Sequence, residues 1–143
     1  MPQKWGIWLK VEGDLKFLSH RQTLRTVQRV AVRAGLPLRY TQGFNPHPVC
    51  SLACPRPVGV SSNDELLVLS LEAQAEPGQA EWLIDSLNSQ APSGMEFHQA
   101  KPLEAKTAPQ PTEITYEMPL VDATQAQAVK TRLVQLQDMP SWL

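Results

Sequence analysis

The residues that could take part in chemistry are concentrated between Ser19 and Pro48 of this 143-residue chain. His20 and His47 are the side chains in this stretch that can transfer a proton near neutral pH. If both reached one reacting atom, they could cleave or modify a bound substrate by general acid–base catalysis. The alternative for His20 is a structural hydrogen bond, because it falls on the core side of a first helical turn. The sequence does not determine whether the two histidines share a site.

Four arginines follow His20 at intervals of four residues: Arg21, Arg25, Arg29 and Arg33. At about 100° per residue they form one slowly drifting helix face, opposite an arc of apolar residues. No acidic residue lies three or four positions from them within the helix, so intrahelical ion pairs cannot neutralise them. The pattern predicts a face that contacts RNA phosphates. An acidic partner, the acidic half of the chain and plain solvation are the alternatives.

A proline-bounded loop, GFNPHP, extends from Gly43 to Pro48. Each proline fixes its own φ and biases the preceding residue toward extended backbone, so Asn45 and His47 are held in a stiff segment. We predict that Gly43, Asn45 and His47 recognise a ligand and that Phe44 stacks on a base. The equal alternative is a rigid turn in which Phe44 fills the core.

Two residues outside this stretch are part of the same RNA-binding hypothesis. Trp8 falls on the second face of a predicted strand, beside Lys4 and Lys10, where an aromatic ring flanked by cations can stack on a base. It could equally cover a sheet edge or a subunit contact. Arg56 is the only cation of a Pro/Gly-rich loop at 55–62 and is a further candidate phosphate contact.

Hydrophobic periodicity and capping signals predict the elements that position these residues. A capping box of Ser19 and Gln22 begins the arginine helix, and Gly35 ends it. The other predicted elements are strands at 4–11, 49–54, 65–72 and 95–103, and a helix that opens at 77–78 and runs to about 88. The resulting β-α-β-β-α-β order predicts an α+β fold, a ferredoxin-like sandwich with both helices on one face of an antiparallel sheet.

The predicted organisation has three segments. Residues 1–103 form the ferredoxin-like domain, and residues 104–111 form a semi-rigid, proline-containing linker. Residues 112–143 contain a strand at 112–120 and a helix that begins at Asp122, which would make an incomplete second βα unit.

The position of the GFNPHP loop depends on which segment forms the second strand. If residues 38–42 form it, the loop follows at the same end of the sheet as His20. If residues 49–54 form it, the loop lies at the opposite end, and shared chemistry of His20 and His47 loses support.

Charge is divided unevenly along the chain, although the net charge is only −1. Residues 1–60 contain nine Lys or Arg and two acids, whereas residues 61–143 contain four Lys or Arg and twelve acids. The net charges of these halves are therefore +7 and −8. This division favours a polyanion as ligand of the first half, or attraction between halves or copies, so an oligomer is possible.

Several classes of protein are not indicated. No stretch approaches the roughly 18 apolar residues of a membrane span, and no apolar signal region precedes a cleavage site, so we expect a cytoplasmic protein with no membrane partner. Glycine-rich phosphate loops and hydrolase motifs are absent. The spacings of His20, His47 and Cys50 match no standard zinc pattern, and we predict neither a metal nor a cofactor.

The run LKFLSHRQTLRTVQRVAVRAGLPLRYTQGFNPHP resembles the signature of an uncharacterised bacterial family known as radical-SAM-linked proteins. The matching positions are Gly13, Phe17 to His20, Arg25, Arg29, Arg33 to Pro37, Gly43 to Pro48, Val58 to Ser61 and Glu65. There are two departures from the pattern: Arg21-Gln22 replaces Leu-Asp, and Val49 replaces a basic residue. The first departure removes an acid beside His20 and makes the helix more basic. The resemblance implies a radical S-adenosylmethionine protein as partner, and no defined activity.

From these observations we predict a non-catalytic accessory module that binds RNA and works with a radical S-adenosylmethionine enzyme in RNA modification. Two other functions stay open. The chain could be an RNA-processing or RNA-modifying enzyme that uses His20 and His47, or a protein-interaction domain that binds no nucleic acid.

Overall fold

The computed structural model describes residues 2–138. Residue 1 of the predicted first domain and residues 139–143 of the predicted last segment lie outside the described residues. A short 3-10 helix at Gly13–Phe17 precedes the first α-helix. The main elements, in chain order, are β1 (Gln3–Val11), α1 (His20–Arg33), β2 (Cys50–Leu52), β3 (Ser62–Leu71), α2 (Gln79–Gln90), β4 (Met95–Leu103) and α3 (Ala123–Gln137).

The fold is of the α+β class and contains a four-stranded antiparallel sheet in the order β2-β3-β1-β4. Alternate residues of β1, from Trp5 to Val11, are buried because α1 and α2 pack on that face of the sheet. α1 contributes Val27 and Val30 to this core, and α2 contributes Leu83 and Leu87. The period-two pattern of β1 and the helical pattern of α1 therefore meet in a single core, as their periodicities predict.

α1 has the boundaries that its capping signals predict. The Ser19 hydroxyl accepts a hydrogen bond from the Gln22 amide at 3.2 Å, and the Gln22 side chain accepts one from the Ser19 amide at 2.9 Å. At the other end, Gly35 has a φ of +68°. Glycine adopts this left-handed conformation without a Cβ clash, so the helix can end there and the chain can return to the sheet.

The second strand is interrupted by a hairpin, an arrangement that the sequence does not predict. Leu38 pairs with Leu71 of β3 as an isolated bridge, and regular pairing resumes at Cys50, opposite Leu69. Between them, the Arg39 amide donates to the Ser70 carbonyl and the Ser70 amide donates to the Val49 carbonyl, both at 3.0 Å, so these two residues form the base of a hairpin whose remainder leaves the sheet. We call this segment the 39–49 hairpin. Both candidate second strands thus contribute to one edge of the sheet, each over fewer residues than predicted.

The GFNPHP loop and His20 lie toward opposite ends of the sheet. The hairpin departs beside Leu71, which also pairs with Gln3 at the start of β1. α1 begins after β1 has ended at Val11, which is opposite Ser62 at the start of β3. The two histidines are therefore separated, which is the consequence expected if residues 49–54 form the second strand, although Leu38 of the other candidate segment also pairs with β3.

The chain divides into two compact units, Met1–Pro111 and Thr112–Leu143. Residues 104–111 fall within the first unit, where the Lys4 ammonium donates to the Thr107 carbonyl at 3.4 Å. In the second unit, the Asp122 carboxylate accepts from the Gln125 amide at 2.8 Å and begins α3, as predicted.

The predicted strand at 112–120 is wrong. These residues form no β-pairing, and the side chains that would have shared a face, Ile114, Tyr116 and Met118, are exposed. Alternating apolar residues favour a β-strand but do not suffice to form one. A strand also needs a neighbouring strand that pairs with its backbone N–H and C=O groups. The predicted second βα unit therefore has a helix but no strand.

Candidate nucleic-acid interface

Arg21, Arg25, Arg29 and Arg33 lie on the solvent side of α1, and we call this surface the arginine face. All four residues are exposed, and within residues 2–138 none of their side chains forms an ion pair or a hydrogen bond. Val32, also on this side, is 50% exposed. The arginine face is thus a row of like charges with no counter-charge in the described part of the chain.

The 39–49 hairpin contacts α1 next to the arginine face. The Gln28 side-chain amide donates to the Pro48 carbonyl at 3.5 Å. Gln28 lies three residues after Arg25 and one before Arg29, on the flank of α1 between the arginine face and the buried stripe. The base of the hairpin is therefore held beside the arginines.

The tip of this hairpin presents Phe44 to solvent. The Thr41 amide donates to the His47 carbonyl at 2.9 Å, and the His47 amide donates to the Thr41 hydroxyl at 3.2 Å, which closes the loop. Gly43, with a φ of +134°, and Asn45 are exposed on either side of Phe44. Phe44 has a relative exposure of 105%, so the alternative that it fills the core is wrong.

Arg56 is not available for the phosphate contact predicted for it. Its Nε donates to Glu65 Oε1 at 2.6 Å, and these two side chains are only 7% and 8% exposed. Its Nη1 donates to the carbonyls of Lys16 and Val60, and its Nη2 donates to the Thr23 hydroxyl at 3.1 Å. We correct its role: Arg56 fixes the 55–62 loop to α1 and β3.

Glu65 is the partner of Arg56 that sequence reasoning missed. Burial raises the pKa of the Glu65 carboxyl, while the charges of Arg56 and His20 oppose that rise. A signal was present, since Glu65 is an acid at the start of an apolar strand, nine residues after Arg56. A Pro/Gly-rich loop usually lies on the surface, however, and nothing local identifies an arginine that folds inward.

The structure places His20 and His47 in separate surroundings. His20 is the first residue of α1 and is half-buried; its Nδ1 is buried without a hydrogen-bond partner. His47 is exposed on the hairpin, where its Nδ1 lies 3.4 Å from the Pro48 carbonyl oxygen. No hydrogen bond among residues 2–138 joins the two, and the geometry offers no acid–base pair made from them.

Trp8 is separated from the arginine face by the sheet itself. Its neighbours on β1, Ile7 and Leu9, point into the core beneath α1 and α2, so Trp8 points to the opposite face. There the Lys101 ammonium lies 5.9 Å from the centre of the Trp8 ring. The residues predicted to bind nucleic acid therefore form two surfaces rather than one.

Two further properties concern the described part of the chain. Residues 2–138 contain no group of three or more His, Cys, Asp or Glu side chains arranged to hold a metal ion. In the same range, no helix combines the length and the apolar character needed to cross a bilayer.

A family model described as "Uncharacterized protein conserved in bacteria (DUF2344)" matches residues 4–143. No curated protein and no solved structure gives a significant match.

Proposed function

We propose that this chain, which belongs to the DUF2344 family of uncharacterised bacterial proteins, is a non-catalytic module that binds RNA through the arginine face of α1. The observation that carries the proposal is the absence of any counter-charge for Arg21, Arg25, Arg29 and Arg33 among residues 2–138. Each pair of like charges four residues apart destabilises a helix by about 0.2–0.5 kcal/mol. A row of phosphates across the face would remove that repulsion.

The 39–49 hairpin supports RNA over other polyanions. Phe44, fully exposed at its tip, offers an aromatic ring on which an unpaired base can stack, and the base of this hairpin contacts the helix that would hold the phosphates. Asn45 and His47 in the same loop offer polar groups for the edge of such a base.

The wider assignment rests on the sequence motif. The FLSH and GFNPHP segments resemble those of radical-SAM-linked proteins, and on that resemblance we propose a cytoplasmic accessory role beside a radical S-adenosylmethionine enzyme in RNA modification. We also propose the ferredoxin-like assignment for the first unit. It is supported by the β-α-β-β-α-β order and by the strand order β2-β3-β1-β4.

The salt dependence of RNA binding tests the proposal. For single-stranded RNA, the slope of log affinity against log salt is about −0.7 per phosphate contacted, so four contacts give about −3. The double variant Arg25→Gln/Arg29→Gln should bind more weakly and have a slope reduced in magnitude by about 1.4.

A matched control is a double variant that also loses two positive charges, but on α3 instead of α1. Lys130→Gln/Arg132→Gln removes two cations from α3 and should keep the wild-type slope. Equal losses in the two double variants, or binding that is indifferent to salt, would exclude the arginine face as the RNA site. Self-association that weakens with salt, without RNA binding, would instead favour a protein-interaction domain.

A further inference from the structure

The face of the sheet that carries Trp8 has a shaped aromatic surface. A Cβ built on Gly6 would lie 3.3 Å from the Trp8 ring and 3.3 Å from the Leu103 side chain. The indole therefore passes close over Gly6, in space that any other residue at position 6 would partly fill. With Lys101 near its ring, the half-buried Trp8 is held against the sheet rather than extended into solvent.

A groove of about 390 Å³ lies on the same face of the sheet as this ring. It is lined by Lys4, Val68, Ser70 and two chain segments, 49–53 and 107–110. Val68 is the antiparallel partner of Gly6, over which the indole passes, and Ser70 is the partner of Lys4. The groove and the indole are thus neighbours on one surface, and the volume is within the range of small-ligand sites.

Positive charge is concentrated at one end of this surface. Lys4 lies in the wall of the groove, and Lys101 is the cross-strand partner of Gly6. At the other end, Lys10 forms an ion pair with Glu12 at 3.1 Å and faces Glu96 across β1 and β4. An anion is therefore favoured beside Lys4 and Lys101 and disfavoured near the two glutamates.

We propose that this surface binds one nucleotide, with its base stacked on Trp8 and its phosphate held by Lys4 and Lys101. The base fits an aromatic ring beside a groove of mixed apolar and polar lining, and the phosphate fits the cationic end. The nucleotide can come from two sources, a free mononucleotide or an unpaired nucleotide of RNA. This site is distinct from the arginine face, because the sheet separates the two, and it does not depend on the RNA-binding proposal.

Calorimetric titration of the full-length chain tests the site with three probes: adenosine 5′-monophosphate, ribose 5-phosphate and an eight-nucleotide single-stranded RNA. Trp8→Leu should weaken binding of the nucleotide about 5- to 100-fold, while Trp8→Phe keeps most of the affinity. Ribose 5-phosphate lacks a base, so any binding of it should not change with Trp8→Leu. Arg25→Gln/Arg29→Gln should leave binding of the mononucleotide unchanged.

A second variant keeps the test independent of the fold around Trp8. Lys4→Gln/Lys101→Gln changes side chains at the surface and should weaken nucleotide binding and reduce its salt dependence. Binding of the mononucleotide identifies a free-nucleotide site, and Trp8-dependent binding of the oligonucleotide alone identifies an RNA contact. The proposal is overturned if the lysine variant binds the mononucleotide and the oligonucleotide with unchanged affinity. It is also overturned if wild type binds neither of these two probes. Oligonucleotide binding lost in the arginine variant but kept in both Trp8→Leu and the lysine variant would overturn this site and leave the arginine face supported.

Discussion

At the scale of single residues, Arg56 shows how a charged side chain can change its role on folding. It lies between two prolines, with Gly59 three residues further on, a pattern that indicates a surface loop and a cation in contact with solvent. In the fold its guanidinium reaches Glu65, Thr23 and two backbone carbonyls. Three of these four contacts are with groups nine or more residues away, and for that reason sequence spacing did not reveal them.

We expect Arg56→Met to destabilise the fold by about 3–5 kcal/mol, because it leaves the Glu65 carboxylate buried without a partner. The double variant Arg56→Met/Glu65→Leu should recover much of this loss, since it removes both charges. Urea denaturation followed by circular dichroism measures both effects. Arg39→Met, at an exposed arginine, is the control and should change stability by less than about 0.5 kcal/mol. A small effect of Arg56→Met would contradict the assigned structural role.

Glu65 also predicts a pH dependence. Burial raises the pKa of its carboxyl above the ordinary value of 4.5, so the folded chain binds this proton more tightly than the unfolded chain. Its contribution to stability is complete below about pH 4.5 and is lost as the pH rises through the folded pKa. The stability advantage of wild type over Glu65→Gln should therefore shrink as the pH rises above about 4.5.

Urea denaturation at a series of pH values measures that advantage. Glu104→Gln, at an exposed position, should stay within about 0.5 kcal/mol of wild type throughout. An advantage of wild type over Glu65→Gln that grows with pH would mean that the ion pair with Arg56 outweighs burial.

At the scale of elements, local signals predicted the helix well and the hairpin poorly. The capping box, the arginine face and the end of α1 at Gly35 follow from residues within a few positions of one another. The 39–49 hairpin instead depends on pairing of Leu38 and Cys50 with β3, about twenty to thirty residues further along the chain. Residues 38–42 and residues 49–54 each have the pattern of a short strand, so the sequence presents them as alternatives. Only their pairing with β3 shows that both segments contribute to the sheet edge.

The hairpin gives a prediction that separates binding from folding. Because Phe44 is fully exposed, Phe44→Ala should change the free energy of unfolding by less than about 0.5 kcal/mol. Loss of a stacked base should still weaken binding of single-stranded RNA by about 1–3 kcal/mol. Fluorescence anisotropy with labelled RNA measures the binding, and Phe44→Tyr, which keeps an aromatic ring, should retain it. Wild-type affinity in Phe44→Ala would remove the hairpin tip from the RNA site.

At the scale of the whole molecule, the division of charge along the sequence does not coincide with the division into units. The basic residues 1–60 and the acidic α2 lie together in the unit Met1–Pro111. Within residues 2–138, no ion pair joins the arginine face to Glu81 or Asp85 of α2. The sequence therefore showed which segments are basic and which are acidic. It could not show that the arginine face would form no ion pair with the acidic helix of the same unit.

The location of the core predicts that the first unit is sufficient for folding and RNA binding. The buried apolar residues of the core lie between Trp5 and Ala100, and α3 has no buried residue. A fragment of residues 1–111 should therefore unfold cooperatively, with a midpoint within a few degrees of that of the full chain. Since the arginine face and Phe44 are retained, its affinity for RNA should change by less than about twofold. Thermal melting and anisotropy check the two statements, and a folded fragment that no longer binds would assign part of the RNA site to residues 112–143.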